Sequence, residues 1–200
     1  EPQVRIEREL AAVLARTEEG EVADYPVAET VQRDGICREI LAPAPVPEAL
    51  RVEAARLARD IAEAIGATGI LAVELFLTRG GLLVNELALR PHNSGHFTIE
   101  GCATSQFEQH LRAVLGWPLG STRLRAPAVA TVNVLGAADA TDPRSRVPAA
   151  LAAGSAHLHL YGKEPRPGRK LGHVTVLGED LDPARAEARR VAALLEGGAS

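Results

Sequence analysis

The chain has no methionine and only two cysteines, Cys37 and Cys102, among its 200 residues. So few thiols exclude a disulfide framework and point to folding in a reducing compartment, the cytoplasm, with both thiols plainly buried. Aromatic side chains make up 3% of the chain and the net charge is −4. Nucleic acid is therefore an unsuitable partner, since both stacking platforms and an overall cationic surface are missing. No apolar run is long enough to cross a bilayer, and the N-terminus lacks the basic-then-apolar layout of a secretory signal, so no membrane partner is expected. A glycine-rich phosphate loop is also missing. What remains is 46% hydrophobic, aliphatic and rich in alanine, enough for one fair-sized domain or two small ones without staples. A first residue of Glu1 in a chain without methionine suggests a piece cut from a longer protein.

The patterning indicates an α+β fold. Residues 5–41 alternate short apolar runs with the turn pairs Glu19-Gly20 and Asp34-Gly35, which predicts antiparallel hairpins despite the alanines of Glu9 to Arg16. From Pro47 the spacing of Leu50, Ala54, Leu57, Ala58, Ile61, Ala62 and Ile65 predicts a helix that Gly66 stops. Runs at 70–77 and 82–89 flank Arg79-Gly80-Gly81 and predict a hairpin, apolar on both faces and so covered on both sides. Ser105-Gln106-Phe107-Glu108 has capping-box spacing and opens a helix through Leu115. Strands follow at 127–135, 156–161 and 171–177, and Asp182-Pro183 opens a last helix. Residues 1–120 read as one unit, an antiparallel sheet with flanking helices, and 121–200 as a small β-rich one.

Chemistry concentrates in Leu83 to His96, where Asn85, Glu86, Arg90, His92, Asn93 and His96 follow an apolar run that itself carries Glu74. With a three-residue hairpin loop, position 78 pairs with 82 and Glu74 faces Glu86 directly, among Ala72, Phe76, Val84 and Ala88. Two anions so close in apolar surroundings require a cation between them or a shared proton. Mg²⁺, which takes one or two carboxylates plus phosphate oxygens, suits that place, with Asn93 as a neutral oxygen. With a two-residue loop the register slips instead, and one glutamate turns to solvent or to an arginine. Arg90 would grip a flat oxyanion with two parallel hydrogen bonds. His92 and His96, taken singly, read as hydrogen-bonded loop histidines; the cluster favours a site.

Lys163, Arg166, Arg169 and Lys170 put four cations into eight residues stiffened by Pro165 and Pro167. Such a loop grips a phosphate with little ordering cost, or is simply a solvated charged loop.

The residues VNELALRPHNSGHFTIEGCATSQFEQHLRAVLGWPLG, ending at Gly120, and YGKEPRPGRKLGH, from Tyr161 to His173, resemble those of the ATP-grasp ligases. Within that family they resemble most the branch that makes N5-carboxyaminoimidazole ribonucleotide for purine synthesis, and the likeness extends over essentially the whole chain. The resemblance implies an ATP-grasp C-terminal subdomain over 1–120, followed by a small domain with a substrate-phosphate loop. It implies ATP held with Mg²⁺: Glu1, Pro2, Gln3 and Val4 as the adenine hinge, Glu9 on the ribose, Asn85 and Gln32 beside the nucleotide, and Glu74 and Glu86 on the metal. Arg90, His92 and Asn93 would hold bicarbonate and the developing phosphate charge, and Lys163, Arg166, Arg169 and Lys170 the 5′-phosphate of aminoimidazole ribonucleotide. A homodimer is implied too. Gln32 stands where the family usually has a histidine, and the lysines that cover the phosphates in the family are missing, so residues 1–200 alone are expected to lack appreciable carboxylase activity. Two other readings stay open: an ATP-grasp ligase for a different amine, and a non-catalytic module derived from the same fold.

Overall fold

The computed structural model describes residues 3–198. Four strands come first: β1 (Arg8–Arg16), β2 (Val22–Asp24), β3 (Ala28–Arg33) and β4 (Ile36–Ala42). The helix α1 (Glu48–Ala64) leads to the hairpin β5 (Gly69–Thr78) and β6 (Gly81–Ala88). A short α2 (Thr98–Gly101) and α3 (Gln106–Val114) follow, then β7 (Ala128–Leu135), α4 (Val147–Ala152), β8 (His157–Leu160), β9 (Lys170–Gly178) and α5 (Leu181–Glu196). All nine strands form one antiparallel sheet in the order β6-β5-β1-β3-β4-β7-β9-β8, with β2 paired to β1.

Alanine favours helix in isolation, yet the alanine-rich Arg8–Arg16 is a strand, because β3 and β5 pair with both its edges and apolar clusters cover both its faces. Leu10, Ala12 and Leu14 face one side with Leu71, Val73 and Leu75, where the small residues Ala54, Ala58 and Ala62 let α1 approach closely. Val13 and Ala15 face the other with Ile70, Ala72, Phe97, Cys102 and Ala113. On β7 and β9 the valines at 132, 134, 174 and 176 bury against Ala184, Ala188 and Val191 of α5. Thus α1 and α5 cover one face of the sheet, while α2, α3 and the segment between Pro91 and Thr104 cover the other.

The expected hairpins, helices and strands stand close to their expected bounds. Ser105 caps α3 by accepting from the Glu108 N–H. Both cysteines are free thiols; Cys102 is buried as expected, whereas Cys37 is only partly buried. Two expectations need correction. The hairpin is not covered on both sides: β6 is an edge strand, with Leu83, Val84 and Leu87 at 42%, 45% and 40% exposure. Its loop has two residues, not three, because Thr78 pairs with Gly81, whose φ of 108° only glycine adopts readily. The short helices α2 and α4 and two 3₁₀ turns, at Asn93–Gly95 and Pro143–Arg146, occupy segments read from sequence as irregular. Among the described residues no helix is long and apolar enough to cross a membrane.

Candidate functional site

From the Thr78–Gly81 closure the ladder runs regularly through Leu77 with Leu82, Phe76 with Leu83 and Leu75 with Val84. A β-bulge then leaves Asn85 unpaired, and the next rung is Glu74 with Glu86. The two-residue loop moves the register by one and the bulge moves it back. The two glutamates are therefore directly opposed, although Leu83 rather than Val84 sits beside them, opposite Phe76. The displaced Asn85 turns its amide to the same place, Nδ2 donating to Glu74 Oε2 at 3.3 Å.

This strand pair forms one wall of a cavity of about 520 Å³ that opens on the sheet face opposite α1. Alternation brings Glu9 of β1, Thr30 and Gln32 of β3 and Cys37 of β4 into the same floor, and Lys170 reaches it from the start of β9. His92, Asn93 and Ser94 close the remaining side. Glu9 titrates above the usual carboxylate range: burial raises it, the charge of Glu74 adds to that, and a hydrogen bond from Gln32 partly offsets both. Burial likewise pushes the Cys37 thiol up to about 11, which leaves it an inert liner.

His92 Nε2 stands 3.6 Å from Glu74 Oε1, and its Nδ1 lies 2.8 Å from Ser94 Oγ. Burial lowers its pKa, and the Arg90 charge adds to that against the opposing pull of Glu74. The donor set is two opposed carboxylates and an amide oxygen, with a neutral imidazole beside them. No group of three or more His, Cys, Asp and Glu among the described residues could hold a metal unaided. Such a set fits a hard divalent ion whose other ligands arrive with a phosphate.

Of the site residues named from sequence, Glu9, Gln32, Glu74, Asn85, His92, Asn93 and Lys170 meet in this cavity, with Glu86 exposed at its edge beyond the bulge. Arg90 is exposed and donates to the Pro91 carbonyl outside it. Lys163, Arg166 and Arg169 stay on the exposed loop before β9, Lys163 Nζ lying 5.1 Å from the Tyr161 ring centre and Arg166 paired with Glu164 at 2.6 Å. Gln3 and Val4 are exposed residues leading into β1; Glu1 and Pro2 lie outside the described residues. Sequence reasoning missed Thr30, Gly35 and Cys37 as liners, which only the pairing of β3 with β1 and β4 reveals, and Ser94, which was in plain view between Asn93 and Gly95.

Behind this corner lies a stack of imidazoles. His173 of β9 is 1% exposed and sits between His96, at 4.9 Å between ring centres, and His159, at 4.6 Å. Its Nδ1 is 2.7 Å from Tyr161 Oη, and His159 Nε2 is 2.6 Å from Glu100 Oε1. Burial holds His96 and His173 neutral, lowering them to about 4 and about 3.

Residues 1–107 match the ATP-grasp domain family, and residues 129–187 match the phosphoribosylaminoimidazole carboxylase C-terminal domain. The chain is 52% identical over 192 residues to N5-carboxyaminoimidazole ribonucleotide synthase of Mycobacterium tuberculosis, covering 90% of this chain and 43% of that protein. It is 47% identical to the protein of that name from Corynebacterium ammoniagenes, covering 98% and 49%. The chain thus spans about half the length of the curated relatives it matches. Among solved structures, N5-carboxyaminoimidazole ribonucleotide synthetase of Thermus thermophilus superposes with a TM-score of 0.86 at 44% identity, over 100% of this chain and 53% of that one. The Aspergillus clavatus synthase, solved with ADP and 5-aminoimidazole ribonucleotide, superposes with a TM-score of 0.87 at 37% identity, over 98% and 53%. With its first 107 residues matched as a domain of that kind, the chain belongs to the ATP-grasp family.

Proposed function

We propose that the protein carboxylates 5-aminoimidazole ribonucleotide with bicarbonate and ATP, giving N5-carboxyaminoimidazole ribonucleotide for purine synthesis. The observation that carries this reading is the single cavity in which the Glu74–Glu86 wall, the Asn93 corner and Lys170 of the basic loop meet.

In this reading residues 1–120 serve the nucleotide and 121–200 the ribonucleotide's phosphate. Glu74 and Glu86 hold Mg²⁺, which neutralises phosphate charge when bound, and the neutral Asn85 amide keeps Glu74 turned inward. Glu9 and Gln32 contact the nucleotide's sugar side, with Gln3, Val4 and the preceding Glu1 and Pro2 on the adenine. Arg90, His92 and Asn93 orient bicarbonate, so that one of its oxygens bonds to the γ-phosphorus as ADP leaves. The ribonucleotide amine then attacks the carboxyl carbon of the resulting carboxyphosphate, and inorganic phosphate departs. Fixed donors suit such a reaction, since positioning and charge stabilisation supply most of the acceleration. Lys170 and the loop cations Lys163, Arg166 and Arg169 hold the 5′-phosphate, with Arg166 exchanging Glu164 for it.

A homodimer is part of the proposal. It is supported by the family resemblance and by the exposed apolar side chains of Leu111, Leu115 and Trp117, at 56%, 55% and 57%.

The test is ADP release by the protein expressed from its full reading frame. Release that requires both bicarbonate and aminoimidazole ribonucleotide is expected. Release indifferent to the ribonucleotide would remove this substrate from the assignment.

A further inference from the structure

Gln106 was legible only as part of a capping box, yet its side chain is completely buried and reaches away from α3 into the site. The Oε1 atom accepts from the His92 N–H at 2.9 Å, and Nε2 donates to the His92 carbonyl at 2.8 Å. A backbone N–H only donates and a carbonyl only accepts, so these two bonds fix which way the carboxamide faces. The second Nε2 hydrogen points to His96 Nδ1 at 3.1 Å. That nitrogen must accept, and the ring proton of His96 is therefore on Nε2. Gly95 passes so close that a Cβ there would lie 2.3 Å from Gln106 Oε1, and Thr98 Oγ1 bonds both the Gly95 carbonyl and the Gln106 N–H, at 2.6 and 2.9 Å.

Every polar group of the carboxamide is thus committed, and its two clients lead in different directions. His92 faces Glu74 and the cavity. His96 stacks on His173, which holds Tyr161, whose ring lies beside Lys163. We propose that Gln106 is a positioning residue that locks the His92 main chain and the His96 tautomer with one side chain, and so holds the anion corner in fixed relation to the phosphate loop. This inference rests on the reading of those two regions as substrate contacts. An apolar side chain would fill the same volume but leave the His92 N–H without its partner and the His92 carbonyl with the Gly95 N–H alone, a loss felt at both ends.

The test uses Gln106→Glu, close in shape, and Gln106→Met, in the protein expressed from its full reading frame. Long-range proton–nitrogen spectra of the imidazoles should place the His96 proton on Nε2 in the parent. In Gln106→Glu it should move to Nδ1, since a carboxylate now accepts there. Turnover should fall about 10- to 100-fold and the KM for aminoimidazole ribonucleotide rise about tenfold, with the KM for ATP within about twofold. Gly95→Ala, which displaces the carboxamide from outside, should reproduce the kinetic change if Gln106→Met does not fold. Loss of activity only in proportion to loss of folded protein, with the His96 tautomer unmoved, would overturn the proposal. The spectra need no turnover, so they judge the tautomer lock even if no carboxylation of this ribonucleotide is found.

Discussion

A three-residue loop would by counting alone set Glu74 opposite Glu86; with the two-residue loop they are still opposite each other, because a bulge at Asn85 cancels the difference. The bulge was invisible in the sequence, since Asn85 in an apolar run carries no turn signal of its own. Glu74→Gln keeps the side chain's shape and removes one charge of the pair. Steady-state turnover of the variant should fall about 100-fold or more, given that loss of even an outer-shell partner of a metal ligand costs about 10- to 100-fold. Its melting temperature should hold or rise, because like-charge repulsion is relieved. Unchanged turnover would take the metal role from this carboxylate. The loop cations were readable as a cluster but not as individuals: Arg166 pairs with Glu164, and only Lys170 enters the cavity.

Periodicity disclosed the longer elements, because α1 and α5 bury the stripe it marks and the strands are bounded by turn residues; in α3 it found the helix but the wrong face, since Gln106, Gln109 and Ala113 are buried while Phe107, Leu111 and Val114 are exposed. It failed for α2 and α4, only four and six residues long, whose formation depends on what they pack against. The seating of α1 rests on alanines at 54, 58 and 62, and its approach leaves no room for larger groups. Ala58→Leu is expected to lower the unfolding free energy by about 1–3 kcal/mol in a urea titration. The other helix on that face, α5, is tied to β4 by charge. Glu39, with a side chain 3% exposed, accepts from Arg185 at 2.6 Å and from Arg189 at 2.9 Å. Burial would raise this carboxyl, but those two guanidinium groups hold it below its usual range. Glu39→Gln removes the charge that both α5 guanidinium groups meet and should cost about 1–2 kcal/mol by the same titration, since the arginines keep some access to water. A midpoint unchanged within error would show the cluster to be ornamental.

At the scale of the molecule, adjacency in the sheet was the least readable property. Pairing of β4 with β7 joins residues some ninety apart, Glu39 with Val132, and nothing local announces it. That pairing carries the sheet across the division read at residue 120 and brings Lys170 to a cavity built mainly before it. The buried imidazoles give the whole fold a pH dependence. Their folded values lie below the unfolded value of about 6.5, so the unfolded chain binds more protons beneath that pH. The stability they contribute is fully present above about pH 6.5 and is lost as pH falls toward about 4 for His96 and about 3 for His173. Glu9, raised, acts in the opposite sense, and Glu39, lowered, adds its loss further into acid. Denaturant titrations from pH 7 to pH 5 should lose up to about 1.4 kcal/mol per pH unit for each histidine. A flat profile there would mean the stack is charged or open. Sedimentation of the protein expressed from its full reading frame should give twice the mass of one chain if the proposed dimer forms.

Asn85 is also the one residue of β6 that the ladder does not count. Its deletion would set Val84 and the following glutamate on successive rungs against Leu75 and Glu74, so the acidic pair would survive a shortened strand. Excision of any single residue between Gly81 and Val84 would shift the hairpin end instead. Length variation along this strand is therefore tolerable at one point, where it strips away the amide and spares the carboxylates.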